Sequence, residues 1–102
     1  MAKVQDEYWW YAELQRLEGD LLLAAAEPDG AGQCYLNALA TASKQQARSW
    51  ELRAATSLAR LWGQQGRRVE ARDLLAPVYG WFTEGFETAD LKEAKMLLNE
   101  LT

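Results

Sequence analysis

The sequence predicts an all-α protein: two antiparallel helical hairpins followed by a closing C-terminal helix. Three observations predict it. Apolar residues recur at spacings of three and four in five separate segments, as they do along a helix with one buried face. No stretch alternates apolar and polar residues in the manner of a half-buried strand. Alanine, leucine, glutamine, glutamate and arginine dominate the chain, and all five are strong helix formers. A chain of 102 residues supports one core rather than two. It is read as a single domain over 1–102, with hairpins at 7–47 and 49–80 and a capping helix at 88–101.

The first helix is expected from about Glu7 to Ala26, with Trp10, Leu14, Leu17, Leu21 and Ala24 marking one face. Glu27-Pro28-Asp29-Gly30 then breaks the pattern, because Pro28 suits the first turn of a helix and not its interior. The second helix carries Ala31, Tyr35, Ala38, Leu39 and Ala42 on its apolar side. Periodicity fades over Gln45 to Ser49, and Ser49 is the expected N-cap of the third helix. That helix presents Leu52, Ala55, Leu58, Ala59 and Trp62 and ends at Gly66, with Arg67 and Arg68 in the turn. A fourth uses Val69, Ala71, Leu74, Leu75, Val78 and Tyr79, with Pro77 placed to bend or shorten it. After an irregular stretch over 80–90, Leu91, Ala94, Leu97, Leu98 and Leu101 define the fifth.

Sliding the chain by 40 residues aligns the first hairpin with the second. Trp10 falls on Trp50, Leu21 on Leu61, Leu22 on Trp62, Ala31 on Ala71, Tyr35 on Leu75 and Ala38 on Val78. Gly19 falls on Ala59 and Ala26 on Gly66. Size class is preserved where two antiparallel helices touch. Small residues at 19 or 59 and at 31 or 71 allow close approach, and large ones at 22 or 62 and 35 or 75 fill the space between.

At these positions the chain resembles the tetratricopeptide repeat, best over Leu58-Ala59, Trp62, Gly66, Ala71, Leu75 and Val78. A period of 40 exceeds the usual 34, which implies longer helices or longer links. Three segments look like one bacterial family: Ala12 to Leu23, Ala47 to Ala54, and Val78 to Phe86. That family comprises large predicted ATPases, often with an adenylate cyclase or DNA-binding domain ahead of a tetratricopeptide C-terminus. The similarity covers only the C-terminal region, and the chain carries neither a phosphate-binding loop nor a cyclase motif. What the resemblance implies is a repeat module that binds protein partners or holds a signalling protein in a regulated shape. In such arrays the first helix of each hairpin lines a groove. The implied groove residues are Glu13, Arg16 and Asp20 in the first hairpin, and Arg53, Thr56, Arg60 and Gln64 in the second.

Composition narrows the function further. The chain has no histidine, the commonest general base and metal ligand at neutral pH, and its one cysteine, Cys34, has no histidine to activate it. A non-enzymatic chain with no cofactor and no metal is therefore expected. The longest apolar run is the six residues Leu21 to Ala26, far short of the roughly 20 that cross a bilayer. Residues 1–7 lack the apolar stretch of a secretory signal, and a lone cysteine forms no internal disulfide. A cytoplasmic setting fits these facts. The net charge of −4 disfavours nucleic acid as a partner. Charge is unevenly spread: residues 1–30 sum to −5, residues 31–72 to +5 and residues 73–102 to −4. The basic middle reads either as solvated helix faces or as a band for an acidic partner, such as the acidic end of another copy.

Tyr8-Trp9-Trp10-Tyr11 places aromatics on every side of a helix, so one hairpin cannot bury them all. Trp81, Phe82 and Phe86 form a second group near the other end. Pairing of these edges between copies predicts a homodimer, while folding back within one copy is the alternative. The leading expectation is a protein or peptide interaction module. The rival is a small-ligand sensor with a pocket lined by the tryptophans.

Overall fold

The computed structural model describes residues 10–80 and 89–101 of the chain. Within them the protein is all-α, with no strand. Its helices are α1 (Tyr11–Ala24), α2 (Pro28–Lys44), α3 (Arg48–Gln64), α4 (Arg68–Gly80) and α5 (Ala89–Leu101). The stack measures 42 × 35 × 19 Å, so it is about two helix diameters thick.

The turns set this geometry. Three of them recur at an interval of 20 residues, each with its central residue at positive φ: Ala26 at 64°, Gln46 at 56° and Gly66 at 84°. In each, the residue after the centre donates its N–H to the carbonyl five residues back: Glu27 to Leu22, Ala47 to Ala42 and Arg67 to Trp62, at 2.8–2.9 Å. The central N–H bonds one position inside, to Leu23, Ser43 and Gly63 respectively. This is a Schellman closure repeated three times. The same residue that closes one helix then precedes the first turn of the next, so each link is three residues long. Ser49 is consequently not the N-cap. Ala47 holds that place without a side-chain bond, and Ser49 lies inside α3. The long period comes from long helices and not from long links.

Pro28 stands in the first turn of α2, as expected. α1 ends two residues before the expected Ala26, because the Schellman closure takes that residue. Pro77 lies inside α4, which ends three residues later at Gly80.

Two connected clusters form the core. Ala31 and Tyr35 of α2 pack on Leu58 and Leu61 of α3, with Leu22 of α1 against them. Leu52, Ala55 and Ala59 of α3 pack on Ala71, Leu75 and Val78 of α4 and on Leu91, Ala94, Leu97 and Leu101 of α5. Close approach is greatest at Gly19, where an added Cβ would fall 2.6 Å from Tyr35 Cε1 and 3.1 Å from the Ala31 carbonyl oxygen. Ala59 holds the matching place beside Ala71 in the second hairpin. The repeat is visible in burial too: residues 31–40 and 71–80 run through the same order of buried, half-buried and exposed positions.

Two expected core positions lie elsewhere. Val69 is exposed. So is the stripe Trp10, Leu14, Leu17 and Leu21, read above as the marked face of the first helix. α1 instead buries Ala12 and Gly19, the latter tight against Tyr35 and Ala31 of α2. A periodic apolar stripe reveals a face but not what covers it.

Candidate functional site

α1, α3 and α5 are the first helices of successive repeat units, and α3 contacts both of the others. Their shared face carries an open cleft of about 170 Å³ lined by Arg16, Arg53, Thr56, Ser57, Arg60, Asp90 and Glu93. Four of the seven residues expected in the groove are therefore brought together. Glu13 and Asp20 stand behind them as carboxylate partners of Arg16. Gln64 lines the next cleft along, with Arg60, Arg68 and Leu97.

The charges form a ladder across the three helices. Arg16 grips Glu13 with two bonds, Nε to Oε1 at 2.9 Å and Nη2 to Oε2 at 2.6 Å. Its Nη1 lies 3.4 Å from Asp20 Oδ2. Asp20 Oδ1 in turn accepts a 2.5 Å bond from the Tyr35 hydroxyl, which ties the groove to the buried core. Arg53 bridges α1 and α5, with Nη1 at 3.3 Å from Glu13 Oε2 and Nε at 3.0 Å from Asp90 Oδ2. Its guanidinium also lies 5.0 Å from the Trp50 ring centroid. Arg60 pairs with Glu93 on α5. Thr56 is buried and donates its hydroxyl to the Leu52 carbonyl at 2.7 Å, so its proton is used within α3.

These contacts set the ionisation of the groove. The hydrogen bonds from Arg16 hold the Glu13 carboxyl below its ordinary value, outweighing a smaller opposing effect of burial. The same pair raises Arg16. Burial, followed by the Asp20 carboxylate beside it, raises the Tyr35 phenol, so it stays a donor at any ordinary pH. The site thus offers fixed guanidinium and carboxylate groups.

Asp90 and Glu93 escaped the sequence reading, although the 40-residue register contains them. Glu13, Arg53 and Glu93 occupy one repeat position, and Asp20, Arg60 and Glu100 another. Opposite charges thus alternate from one repeat to the next at these positions, in the same sense as the −5, +5, −4 sequence of segment charges. The basic middle is no continuous band. Arg67 pairs with Glu70 at 2.8 Å and lies 4.4 Å from the Trp62 ring centroid, and Arg68 reaches the Glu100 carbonyl.

The tryptophans do not converge on a pocket among the described residues. Trp10 holds the N-cap position of α1, while Trp50 and Trp62 sit at opposite ends of α3. The cleft beside Trp62 holds about 230 Å³ and the one beside Gln64 about 270 Å³, both open to solvent. Ligand pockets for drug-sized molecules run from roughly 300 Å³ upward. Of the aromatics expected to self-associate, Tyr8, Trp9, Trp81, Phe82 and Phe86 lie outside the described residues. Trp10 and Tyr11 are exposed, with their rings edge to face at 6.2 Å. Cys34 is free and half-buried.

Among the described residues no group of acidic, histidine or cysteine side chains is arranged to hold a metal ion. No helix there is long and apolar enough to cross a membrane. In comparisons with known proteins, no family model, no curated protein and no solved structure matches the chain.

Proposed function

We propose that the chain is a non-enzymatic protein–protein interaction module of tetratricopeptide type, in which the groove across α1, α3 and α5 receives a segment of a protein partner. A single observation carries this reading. α1 directs Arg16, and α3 directs Arg53 and Arg60, onto one face, where carboxylates of α1 and α5 hold them at a fixed spacing. The small residues at Gly19 and Ala59, where paired helices approach closely, support the assignment to this repeat type. A cytoplasmic setting accompanies the proposal on composition, and a role within a larger bacterial signalling regulator on the family resemblance alone.

The ladder also suggests how a partner enters. Arg16 is clamped by two bonds to a largely covered Glu13. Arg60 and Glu93 form an exposed pair, and exposed pairs contribute only about 0–1 kcal/mol. A partner carboxylate therefore displaces Glu93 from Arg60 at little cost, while Arg16 and Arg53 hold the frame. The three arginines and the four carboxylates Glu13, Asp20, Asp90 and Glu93 leave the groove close to neutral, which favours a peptide with a single acidic group over a polyanion such as nucleic acid.

Selection of random peptides against the folded chain tests this. The expected result is a set sharing one acidic residue or a free C-terminus, with binding weakened at least about tenfold by Arg60→Glu, in keeping with loss of a charge-assisted pair. Peptides that bind Arg53→Glu and Arg60→Glu variants as well as the parent would remove the groove from consideration.

A further inference from the structure

Two hydroxyls lie side by side on the groove face of α3, and the fold treats them differently. Thr56 and Ser57 are 5% and 9% exposed, and both line the cleft of about 170 Å³. Thr56 gives its proton to the Leu52 carbonyl within the helix. Ser57 has no such outlet: among the described residues its hydroxyl has no hydrogen-bonding partner. A polar side chain covered to this degree is ordinarily bonded within the protein. The exception leaves a donor directed at whatever enters the cleft.

The repeat makes Ser57 equally unusual. In the 40-residue register its position is held by Leu17 in α1 and by Leu97 in α5, where the leucine is buried in the core. Serine is smaller and polar, so at this position α3 gives up apolar packing and keeps open the space that a branched side chain would fill. Neither change serves the stack itself.

The neighbours describe what the space takes. Arg53, Ser57 and Arg60 follow intervals of four and three, which places them on one stripe of α3 with the hydroxyl between two guanidinium groups. Arg53 is held from both sides by Glu13 and Asp90, whereas Arg60 is paired with the exposed Glu93. A free hydroxyl beside a guanidinium that is easily released matches the two oxygens of a carboxylate, one accepting from Ser57 Oγ and the other from Arg60. Liquid water occupies roughly 30 Å³ per molecule, so the cleft admits the end of one side chain and not a length of backbone. Asp90 and Glu93 on its rim repel a dianion more than a monoanion.

We propose that Ser57 and Arg60 form the seat for a single carboxylate side chain of the partner, with Ser57 as the residue that fits the cleft to it. The partner's identity as a protein segment rests on the function proposed above, whereas the seat is measured with a free acid.

Titration of the full chain with propionate, followed by NMR at the Arg60 Nε–H and the Ser57 backbone amide, tests it. Saturable shifts at both are expected, with dissociation in roughly the millimolar range that so small a ligand reaches. Ser57→Ala weakens propionate about three- to tenfold, the contribution of one hydrogen bond, with the melting temperature unchanged. Ser57→Leu fills the cleft and abolishes the shifts; if that variant does not fold, Ser57→Ala decides alone. Inorganic phosphate binds more weakly than propionate. The seat is overturned by the absence of a saturable shift at Arg60, by a Ser57→Ala variant that binds propionate as the parent does, or by phosphate binding the tighter. Selected peptides that need Arg60 but ignore Ser57→Ala would remove the seat and keep the peptide groove. Propionate bound through Ser57 with no peptide selected would keep the seat and remove the groove's proposed use.

Discussion

The two ends of the helical stack treat the same repeat positions in opposite ways. At the C-terminal end, α5 turns its leucines inward and offers Lys92, Lys95 and Asn99 where α3 carries Leu52, Ala55 and Ala59. It closes the stack with a polar outer surface, as terminal repeats require. At the N-terminal end, α1 keeps the small residues that admit α2 yet leaves Leu14, Leu17 and Leu21 outward. The difference teaches that α5 is built as an end and α1 is built as a middle. Identical apolar periodicity supports both, and only the opposite faces of the two helices distinguish them.

Truncating one repeat position in three places makes the sharpest break in this comparison. Leu61→Ala removes a buried side chain wedged between α2 and α3 and is expected to cost about 2–5 kcal/mol. Leu101→Ala belongs in the lower half of that range, because the site lies at the end of α5 beside Gly63. Leu21→Ala is expected to stay within about 0.5 kcal/mol when the chain is dilute and monomeric. Urea unfolding at submicromolar concentration measures all three. A large cost at Leu21 under those conditions would place that stripe in the monomer core and erase the contrast.

The position at 19, 59 and 99 breaks it from the other side. A Cβ at Gly19 meets the Tyr35 ring, which is buried and tied through its hydroxyl to Asp20, so it cannot yield easily. Gly19→Val should cost about 1–3 kcal/mol from overpacking. Asn99 is exposed at the capped end, and Asn99→Val should change stability by no more than about 0.5 kcal/mol. Equal costs would mean that the end of α5 is packed as the interior is.

The turns, unlike the ends, treat their three copies alike. All three centres adopt the left-handed region, yet only Gly66 is glycine. Ala26→Gly and Gln46→Gly should each stabilise by about 0.5–1 kcal/mol, and Gly66→Ala should cost about 1 kcal/mol. This uniformity explains what could be read in advance. Helix number, order and most core positions were legible because long helices repeat their apolar spacing many times. Gly66 was legible as a stop. Ala26 and Gln46 carry no local sign of positive φ, so apolar spacing alone runs the first helix two residues too far and points to Ser49 rather than Ala47 as the cap of α3. Half of the groove was legible from the first helices of the two hairpins. Its α5 side was not, because only the first helix of that unit falls within the sequence. The alternation Glu13, Arg53, Glu93 was the signal for it.

The smallest expected effect separates two carboxylates, one on α1 and one on α3, by the sign of their pH dependence. The Arg16 hydrogen bonds hold Glu13 below the ordinary value of 4.5. Its contribution is therefore complete above pH 4.5 and is lost as pH falls through the folded value. Glu51 is the opposite case. It occupies the repeat position held by exposed Tyr11 in α1 and buried Leu91 in α5, and burial raises its carboxyl above 4.5 despite Arg48 and Ser43 nearby. A folded state that binds the proton more tightly than the unfolded chain is favoured by acid, so this contribution is present below 4.5 and is lost as pH rises through the folded value. Unfolding free energies between about pH 3 and 7 should show the two slopes separately. Glu13→Gln flattens the acid limb alone. Glu51→Gln removes the decline above pH 4.5 and leaves the protein more stable than the parent at neutral pH, because the amide fills the same space without the desolvated charge. If Glu51→Gln instead lowers neutral-pH stability, the carboxylate is held by its polar neighbours more strongly than burial opposes it, and the middle of the stack is less dry at that position than its leucine counterpart at the capped end.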